Sequence, residues 1–316
     1  MSSQTDILLE AGTNELEIVE FWLEEAPQED GEENYHGFYG VNVAKVLEII
    51  RMPEKVTHLP KVAHPSIMGT FNLRNKVIPL VDLSFWLNKE RVETEPPKVI
   101  VTEFNNVSSA FLVSGVTRIH RISWEKVEAP SAYVSSLSQD SITGVVKFED
   151  RISLILDLEK IVAELNPALG LQLDDSVDWE VTGGYKALIA DDSTLIREML
   201  YELMTRAKFL VETANTGREC WEKLLQLKKM SLEDKRPIKD YINVVISDIE
   251  MPVMDGHNLT VRIKADPVLK ELPVILFSSI ITDKLRHKGE SVGADDQISK
   301  PEVTQLAKRA IALIQK

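Results

Sequence analysis

KALIADDS (186–193) is the stretch that decides the fold of the C-terminal half, and three later stretches repeat its pattern: INVVISD (242–248), PVILFSS (273–279) and DQISKP (296–301). Each contains a short apolar run, of the length of a buried strand, that ends in polar residues. Helix-like segments lie between these runs. With FLVETA (209–214) as a fifth apolar run, the five strand and helix units predict a doubly wound (βα)5 α/β domain with a parallel sheet over residues 185–316.

The polar residues that end these runs are Asp191, Asp192, Asp248, Ser278 and Lys300. The carboxyl ends of parallel strands form the crevice in which α/β sheets bind ligands. Clustered carboxylates are tolerated around a hard cation such as Mg²⁺, so the three aspartates predict a magnesium site. Asp248 is the predicted nucleophile toward a phosphoryl group, and Lys300 would neutralise charge on the phosphoryl oxygens. Ser278 would donate a hydrogen bond to the acyl phosphate.

Any one of these residues alone is more simply a helix cap or a turn residue. Their occurrence in this order at consecutive strand ends favours the phosphoryl-transfer site. The backbone carbonyl of Glu250 is a further candidate ligand for Mg²⁺, because it follows Asp248 by two residues.

The motifs ALIADDS, VVISDIEMPVMDGHNL, LPVILFSS and DQISKP resemble those of the response-regulator receiver domain. The resemblance implies that Asp248 takes a phosphoryl group from a phosphohistidine on a kinase. It also implies slow self-catalysed hydrolysis, rather than an enzyme acting on an outside substrate, and a switch that acts through Ser278. Gln297 stands where the family often has an aromatic switch residue. Glu250 stands at the position that affects the rate of acyl-phosphate hydrolysis in this family. We hypothesise that its carboxylate alters the lifetime of the acyl phosphate.

The N-terminal half carries a different pattern, in which seven short β-branched or apolar runs between Leu16 and Asp157 are separated by turn residues. This spacing predicts an all-β barrel or sandwich that is mostly antiparallel. The segment LEKIVAELNP (158–167) predicts a short helix. The half contains no histidine ligand spacing, phosphate-binding glycine loop or catalytic triad, so a binding module is expected.

GTFNLRNKVIPLVDL (69–83) presents Arg74 on a polar turn at the entrance of an apolar strand. Together with GVNVAKVLEII and FLVSGVTRIHRI, this motif is similar to the CheW-type coupling domain of chemotaxis. The resemblance implies two small β-barrels, and it implies partner contacts at Arg74, Val46 and Glu48. The alternative interpretation of Val46 is a core residue of its strand, and that of Glu48 is a solvated strand residue. Asn75 replaces the usual glycine and can adopt the left-handed conformation of a turn.

The whole chain is interpreted as a coupling domain (1–165), a linker rich in Pro, Gly and acidic residues (166–184) and a receiver domain (185–316). This order resembles the CheV family. The resemblance implies a scaffold that joins chemoreceptors, the methyl-accepting chemotaxis proteins, to the histidine kinase CheA. It also implies that phosphorylation of the scaffold's own receiver domain adjusts this coupling. The main alternative is a phosphate sink that drains phosphoryl groups from the kinase. A phosphatase is disfavoured because the nucleophile lacks the Asp-x-Asp motif, and a transcription factor because no basic helix-turn-helix is present.

Composition excludes several other classes of protein. The net charge is −14, and no lysine or arginine precedes Lys45, which disfavours nucleic acid as a partner. No apolar run is long enough to span a bilayer, so we expect a cytoplasmic protein without membrane insertion. The resemblance to the CheV family implies that it associates with receptor arrays at the inner face of the membrane. The single cysteine, Cys220, excludes an internal disulfide.

The polar insertion MSLEDKRPIKDYI (230–242) is predicted to be a surface loop, and EEAPQEDGEEN (24–34) is predicted to be a hairpin loop.

Overall fold

The computed structural model describes residues 15–27, 34–62, 64–92, 95–105, 107–130, 141–165, 184–279 and 283–316. The chain divides into two compact units whose main bodies are residues 16–172 and 173–316. The predicted linker lies outside the described residues except for Gly184, so the proposed domain boundaries stay predictions. No helix in the described ranges combines the length and apolar composition that crossing a membrane requires.

In its described ranges, the N-terminal unit is built from strands and the short helices α1 (Leu83–Trp86) and α2 (Leu158–Leu165). Its strands are β1 (Glu15–Glu25), β2 (Tyr35–Asn42), β3 (Val46–Arg51), β4 (Ile67–Leu73), β5 (Lys76–Asp82), β6 (Lys98–Phe104), β7 (Val107–Val113), β8 (Gly115–Ser123), β9 (Val127–Glu128), β10 (Ile142–Lys147) and β11 (Ile152–Leu156). They form a six-stranded sheet, β8-β1-β2-β11-β10-β9, and a five-stranded sheet, β3-β6-β7-β5-β4. The prediction of an all-β N-terminal half is confirmed.

The seven apolar runs of the N-terminal half do not include residues 67–73 or 127–128, which form β4 and β9. In β4 the apolar alternation is broken by Gly69, which has a φ of +147° at a bulge opposite β5. A Cβ at Gly69 would lie 2.4 Å from the carbonyl oxygen of Thr57, so the close approach of the two backbones requires glycine. A strand of this kind has no clean period of two, so its residues lack the alternation that predicts a strand.

The C-terminal unit alternates strands with helices, as predicted. The strands are β12 (Lys186–Ala190), β13 (Leu210–Ala214), β14 (Val244–Asp248), β15 (Val274–Ser278) and β16 (Asp296–Ser299). The helices are α3 (Thr194–Arg206), α4 (Gly217–Asp234), α5 (Gly256–Ala265), α6 (Asp283–Ser291) and α7 (Leu306–Ile314). All four neighbouring pairs in the order β13-β12-β14-β15-β16 are parallel. The doubly wound α/β fold is therefore confirmed.

Apolar residues cover both faces of this parallel sheet. Ile189, Ile246 and Phe277 pack in one core cluster, and their chain neighbours Leu188 and Val245 pack in another. Because both faces are buried, the strands are continuously apolar instead of alternating. This is the physical reason that the strand positions were readable from the sequence.

The prediction of a surface loop over residues 230–242 is wrong. Helix α4 runs on to Asp234 and ends at Lys235, whose φ of 54° is left-handed. A 3₁₀ turn follows at Ile238–Asp240, after Pro237, and Ile238 is buried. The polar composition was misleading because Met, Leu, Glu and Lys are good helix formers that also suit a solvated surface.

Candidate functional site

The register of the parallel sheet places the sequence-predicted residues of the C-terminal unit at one edge. Ala190 pairs with Ser247, so Asp191 and Asp248 occupy the next step on adjacent strands. Asp248 itself pairs with Phe277, which precedes Ser278, and Ser278 pairs with Ser299, which precedes Lys300. The carboxyl ends of four neighbouring strands thus bring these residues together, as the sequence predicted.

Three carboxylates form the acidic part of this site. One oxygen from each of Asp191, Asp192 and Asp248 lies within 4.8 Å of the other two, and Asp191 and Asp248 are buried. Asp191 Oδ1 accepts a hydrogen bond of 2.9 Å from the backbone nitrogen of Ser193. Ser193 holds the N-cap position of α3 without a capping bond from its side chain. Asp191 therefore organises the turn from β12 into α3 and also contributes an oxygen to the cluster.

Lys300 supplies the positive charge. Its Nζ lies 3.5 Å from Asp191 Oδ2 and 3.5 Å from Asp248 Oδ2, and the side chain is buried above the ring of Phe277. One ammonium group does not balance three carboxylates. The remaining negative charge and the oxygen donors suit a divalent cation of the hard class. The residues present therefore fit Mg²⁺.

The phospho-acceptor candidate, Asp248, is positioned by contacts with the neighbouring backbone. Its Oδ1 accepts a hydrogen bond of 2.8 Å from the backbone nitrogen of Ile249. A Cβ at Gly256 would lie 2.1 Å from the backbone oxygen of Asp248, so only glycine fits beside the acceptor. Ser278 is buried at the end of β15, and Glu250 lies half-buried in the connection that follows Asp248.

Sequence reasoning did not single out two buried titratable residues near the start of α5. Asp255 caps the helix by accepting a hydrogen bond from the backbone nitrogen of Asn258, and burial raises the pKa of Asp255 to about 6. Burial, assisted by the charge of Lys288, lowers the pKa of His257 to about 3. The only sequence signal for them is their place in the MPVMDGH motif, and only the packing shows that they are buried.

In the N-terminal unit, two of the three predicted partner residues contact each other. Arg74 Nη2 lies 3.0 Å from Glu48 Oε2, and the Arg74 side chain is 79% exposed. Glu48 lies in β3 and Arg74 follows β4, which are the two edge strands of the five-stranded sheet. The sheet is therefore curved enough to bring its edges together, as a small barrel requires. Val46 lies half-buried in β3.

Arg74 owes its exposure to the hairpin between β4 and β5. Leu73 pairs with Lys76, which leaves Arg74 and Asn75 as a two-residue turn, and both have positive φ, 50° and 67°. Positive φ at both positions is the signature of a type I′ turn, which suits the twist of a hairpin. The predicted left-handed conformation of Asn75 is confirmed. Sequence reasoning did not single out three exposed apolar residues on β3 and β5, which are Leu47, Ile49 and Val77.

Comparison with known proteins gives matches on both units. Residues 30–166 match the model of the CheW-like domain, and residues 187–311 match that of the response regulator receiver domain. The chain is 35% identical over 285 residues to chemotaxis protein CheV3 of Helicobacter pylori, with 89% of each chain covered. It is 28% identical to CheV2 of the same organism, over 85% of this chain and 87% of that protein.

A further relative matches a shorter part of the chain. Chemotaxis protein CheW of Klebsiella aerogenes is 27% identical over 132 residues, which cover 42% of this chain and 78% of that protein. CheV3, by contrast, aligns with both units and exceeds 30% identity over most of its own length. This chain therefore belongs to the CheV family of chemotaxis proteins, in which a CheW-like domain and a receiver domain share one polypeptide.

Proposed function

We propose that this chemotaxis scaffold couples chemoreceptors to the histidine kinase CheA, and that phosphorylation of Asp248 adjusts this coupling. The observation that carries the proposal is the union of a CheW-like domain with a receiver sheet whose strand ends bring together Asp248, two other carboxylates and Lys300. A phosphate sink is not favoured, because it would leave the CheW-like domain without a role. Location at receptor arrays on the cytoplasmic face of the membrane is part of the same proposal.

The proposed chemistry is phosphoryl transfer from a phosphohistidine of the kinase to Asp248. A carboxylate oxygen of Asp248 attacks phosphorus, the new O–P bond forms as the N–P bond breaks, and the leaving imidazole takes its proton from solvent. Lys300 is close enough to both buried aspartates to stabilise charge on the transferring oxygens. Ser278, one strand further on, donates a hydrogen bond to the phosphoryl group once it is attached.

Asp191, Asp192 and Asp248 would hold Mg²⁺, with the backbone carbonyl of Glu250 as a further oxygen donor. Bound Mg²⁺ would neutralise charge on the phosphoryl oxygens. The support for this assignment is that three oxygen donors converge beside Lys300. The CheW-like domain would contact its partners through Arg74, Val46 and Glu48.

Asp192→Ala should raise the Mg²⁺ concentration needed for half-maximal phosphorylation by acetyl phosphate at least about tenfold, because one oxygen donor is lost. Mg²⁺ titration by calorimetry should show the same loss, and chelation should stop the phosphorylation of the wild type. Glu233→Ala, an exposed carboxylate of the same domain, is the control. Wild-type Mg²⁺ affinity in Asp192→Ala would remove Asp192 from the site.

Arg74→Ala should weaken binding to receptor–kinase assemblies at least about tenfold, because exposed arginines in the centre of an interface dominate its energy. The measurement is co-sedimentation with reconstituted receptor and CheA, together with the activation of CheA. Arg121→Ala is the matched control, since Arg121 is also exposed and paired with a carboxylate, Glu17. Equal affinity of the two variants would move the interface away from Arg74.

A further inference from the structure

Arg197 is a half-buried arginine whose guanidinium group lies against the turn that enters the candidate magnesium site. Its Nη1 donates a hydrogen bond of 2.7 Å to the backbone carbonyl of Asp191, and its Nη2 donates one of 3.0 Å to the hydroxyl of Thr194. The guanidinium group is planar and rigid, so two bonds from it fix the distance between their acceptors. Arg197 therefore spans the turn from β12 to α3, whose middle residues are Asp192 and Ser193.

The bond to Asp191 holds the peptide unit that joins two of the predicted metal ligands. Because a peptide unit is planar, holding its carbonyl oxygen also sets the direction in which the chain continues into Asp192. The carboxylate of Asp191 accepts a bond from the backbone nitrogen of Ser193, and it is buried like that of Asp248, whereas Asp192 is half-buried. Arg197 thus acts on the backbone that presents the Asp192 carboxylate to the cluster.

The charge of Arg197 works against the binding of a metal at this place. A cation in contact with the backbone of Asp191 repels a divalent ion held by the neighbouring carboxylates. Arg197 is also the fourth residue of α3, and the helix dipole disfavours positive charge near a helix N-terminus. A favourable effect of Arg197 on metal binding must therefore come from its hydrogen bonds, and a charge effect would have the opposite sign.

We propose that Arg197 is a positioning residue for the magnesium site, and that it holds the peptide between Asp191 and Asp192 so that the Asp192 carboxylate meets the other two. This inference rests on the proposed Mg²⁺ site. Residues that orient the ligands of a metal typically lower its affinity about 10- to 100-fold when they are replaced. Removing the guanidinium group should therefore weaken Mg²⁺ binding, although it also removes a repelling charge.

The test is titration of the full chain with Mg²⁺ by calorimetry. Arg197→Met keeps most of the apolar stem but loses the charge and both hydrogen bonds, and its dissociation constant for Mg²⁺ should rise about tenfold. Arg197→Lys keeps the charge, but a single ammonium group does not reproduce the planar fork, so its affinity should lie between those of the wild type and Arg197→Met. A charge effect predicts tighter binding by Arg197→Met and unchanged binding by Arg197→Lys, and that order would overturn the proposal.

Thr194→Val provides a milder variant, which removes one acceptor and leaves the guanidinium group in place. It should weaken Mg²⁺ binding by a smaller factor than Arg197→Met, and it keeps the proposal testable if circular dichroism shows that Arg197→Met does not fold. Arg206→Met is the matched control, since Arg206 lies in the same helix and is paired with Glu202. An equal loss of affinity in Arg206→Met would mean that any change in α3 weakens the site, and the specific role of Arg197 would fail.

A double variant shows whether Arg197 acts through Asp192. In the Asp192→Ala background the carboxylate that Arg197 positions is absent, so adding Arg197→Met should weaken Mg²⁺ binding further by less than about twofold. A further loss as large as that in the wild-type background would show that the two residues act independently, which contradicts the proposal.

The outcomes separate this inference from the proposed function. Normal Mg²⁺ binding by the wild type, with unchanged or tighter binding by Arg197→Met and Thr194→Val, overturns the role of Arg197 and leaves the metal site intact. Absence of Mg²⁺ binding by the wild type overturns the metal site itself, and the inference fails with it.

Discussion

Replacing Asp248 with asparagine should abolish phosphorylation of this protein by phosphorylated CheA, a loss of more than about a hundredfold. Asparagine has nearly the shape of aspartate and can still accept the hydrogen bond from the nitrogen of Ile249. It lacks the anionic oxygen that attacks phosphorus, so the chemistry fails while the fold is kept. Transfer of radiolabel from the kinase, followed by mass spectrometry of the acceptor peptide, measures the effect.

The same variant also separates a regulated scaffold from the alternatives. Receptor binding should stay at the wild-type level, because the CheW-like domain is a separate folded unit. Kinase activity in reconstituted assemblies should lose its response to phosphorylation at fixed phosphate flux. Identical kinase activity in the wild type and Asp248→Asn would favour a sink or an unregulated scaffold, and retained labelling would place the acceptor elsewhere.

The second large effect is expected in the N-terminal unit, where Arg151→Met should destabilise the fold by about 3–5 kcal/mol. Glu20 is completely buried, and Arg151 donates to both of its carboxylate oxygens, at 2.8 and 3.2 Å. Thr117 and His120 complete the hydrogen bonds of this carboxylate. Methionine keeps most of the apolar stem, so the loss of stability measures the cost of leaving the charge of Glu20 buried without Arg151.

An exposed ion pair of the same domain is the control. Lys147 lies 2.7 Å from Glu128 with both side chains more than half exposed, so Lys147→Met should cost less than about 1 kcal/mol. Urea unfolding with hydrogen exchange resolved for each domain measures both variants, since two domains need not unfold as one unit. Glu20→Gln in the Arg151→Met background should recover part of the loss. Equal destabilisation by Arg151→Met and Lys147→Met would contradict the buried-charge argument.

The pH dependence of this effect has a defined sign. Burial opposes ionisation of Glu20, but the hydrogen bonds from Arg151, Thr117 and His120 outweigh it and lower the pKa of Glu20 below its ordinary 4.5. A lowered pKa means that the stabilisation is present above about pH 4.5 and is lost as the pH falls through the folded value. The difference in stability between the wild type and Arg151→Met should therefore shrink in acid.

The candidate receiver site was readable from the sequence, because in a parallel sheet buried on both faces each strand is an apolar run and the residue after it lies at the crevice. Asp191, Asp248, Ser278 and Lys300 come together for this reason alone. The hairpin turn at Arg74 was readable in the same way, from local turn chemistry at Asn75. In both cases the structure is set by residues that lie close together in the sequence or by apolar residues that recur in each strand.

Other features depended on approaches between distant segments. Glu20 looks like an ordinary strand residue, and only the arrival of Arg151 from a distant turn makes it a buried ion pair. Gln297 departs from the usual receiver pattern, and its hydrogen bond to the backbone of α6 forms because Gly289 lets the helix come close. Local sequence determined the fold class and the chemistry at the strand ends. Only the tertiary structure decided which polar groups are buried and paired, because burial depends on contacts between residues that are far apart in the sequence.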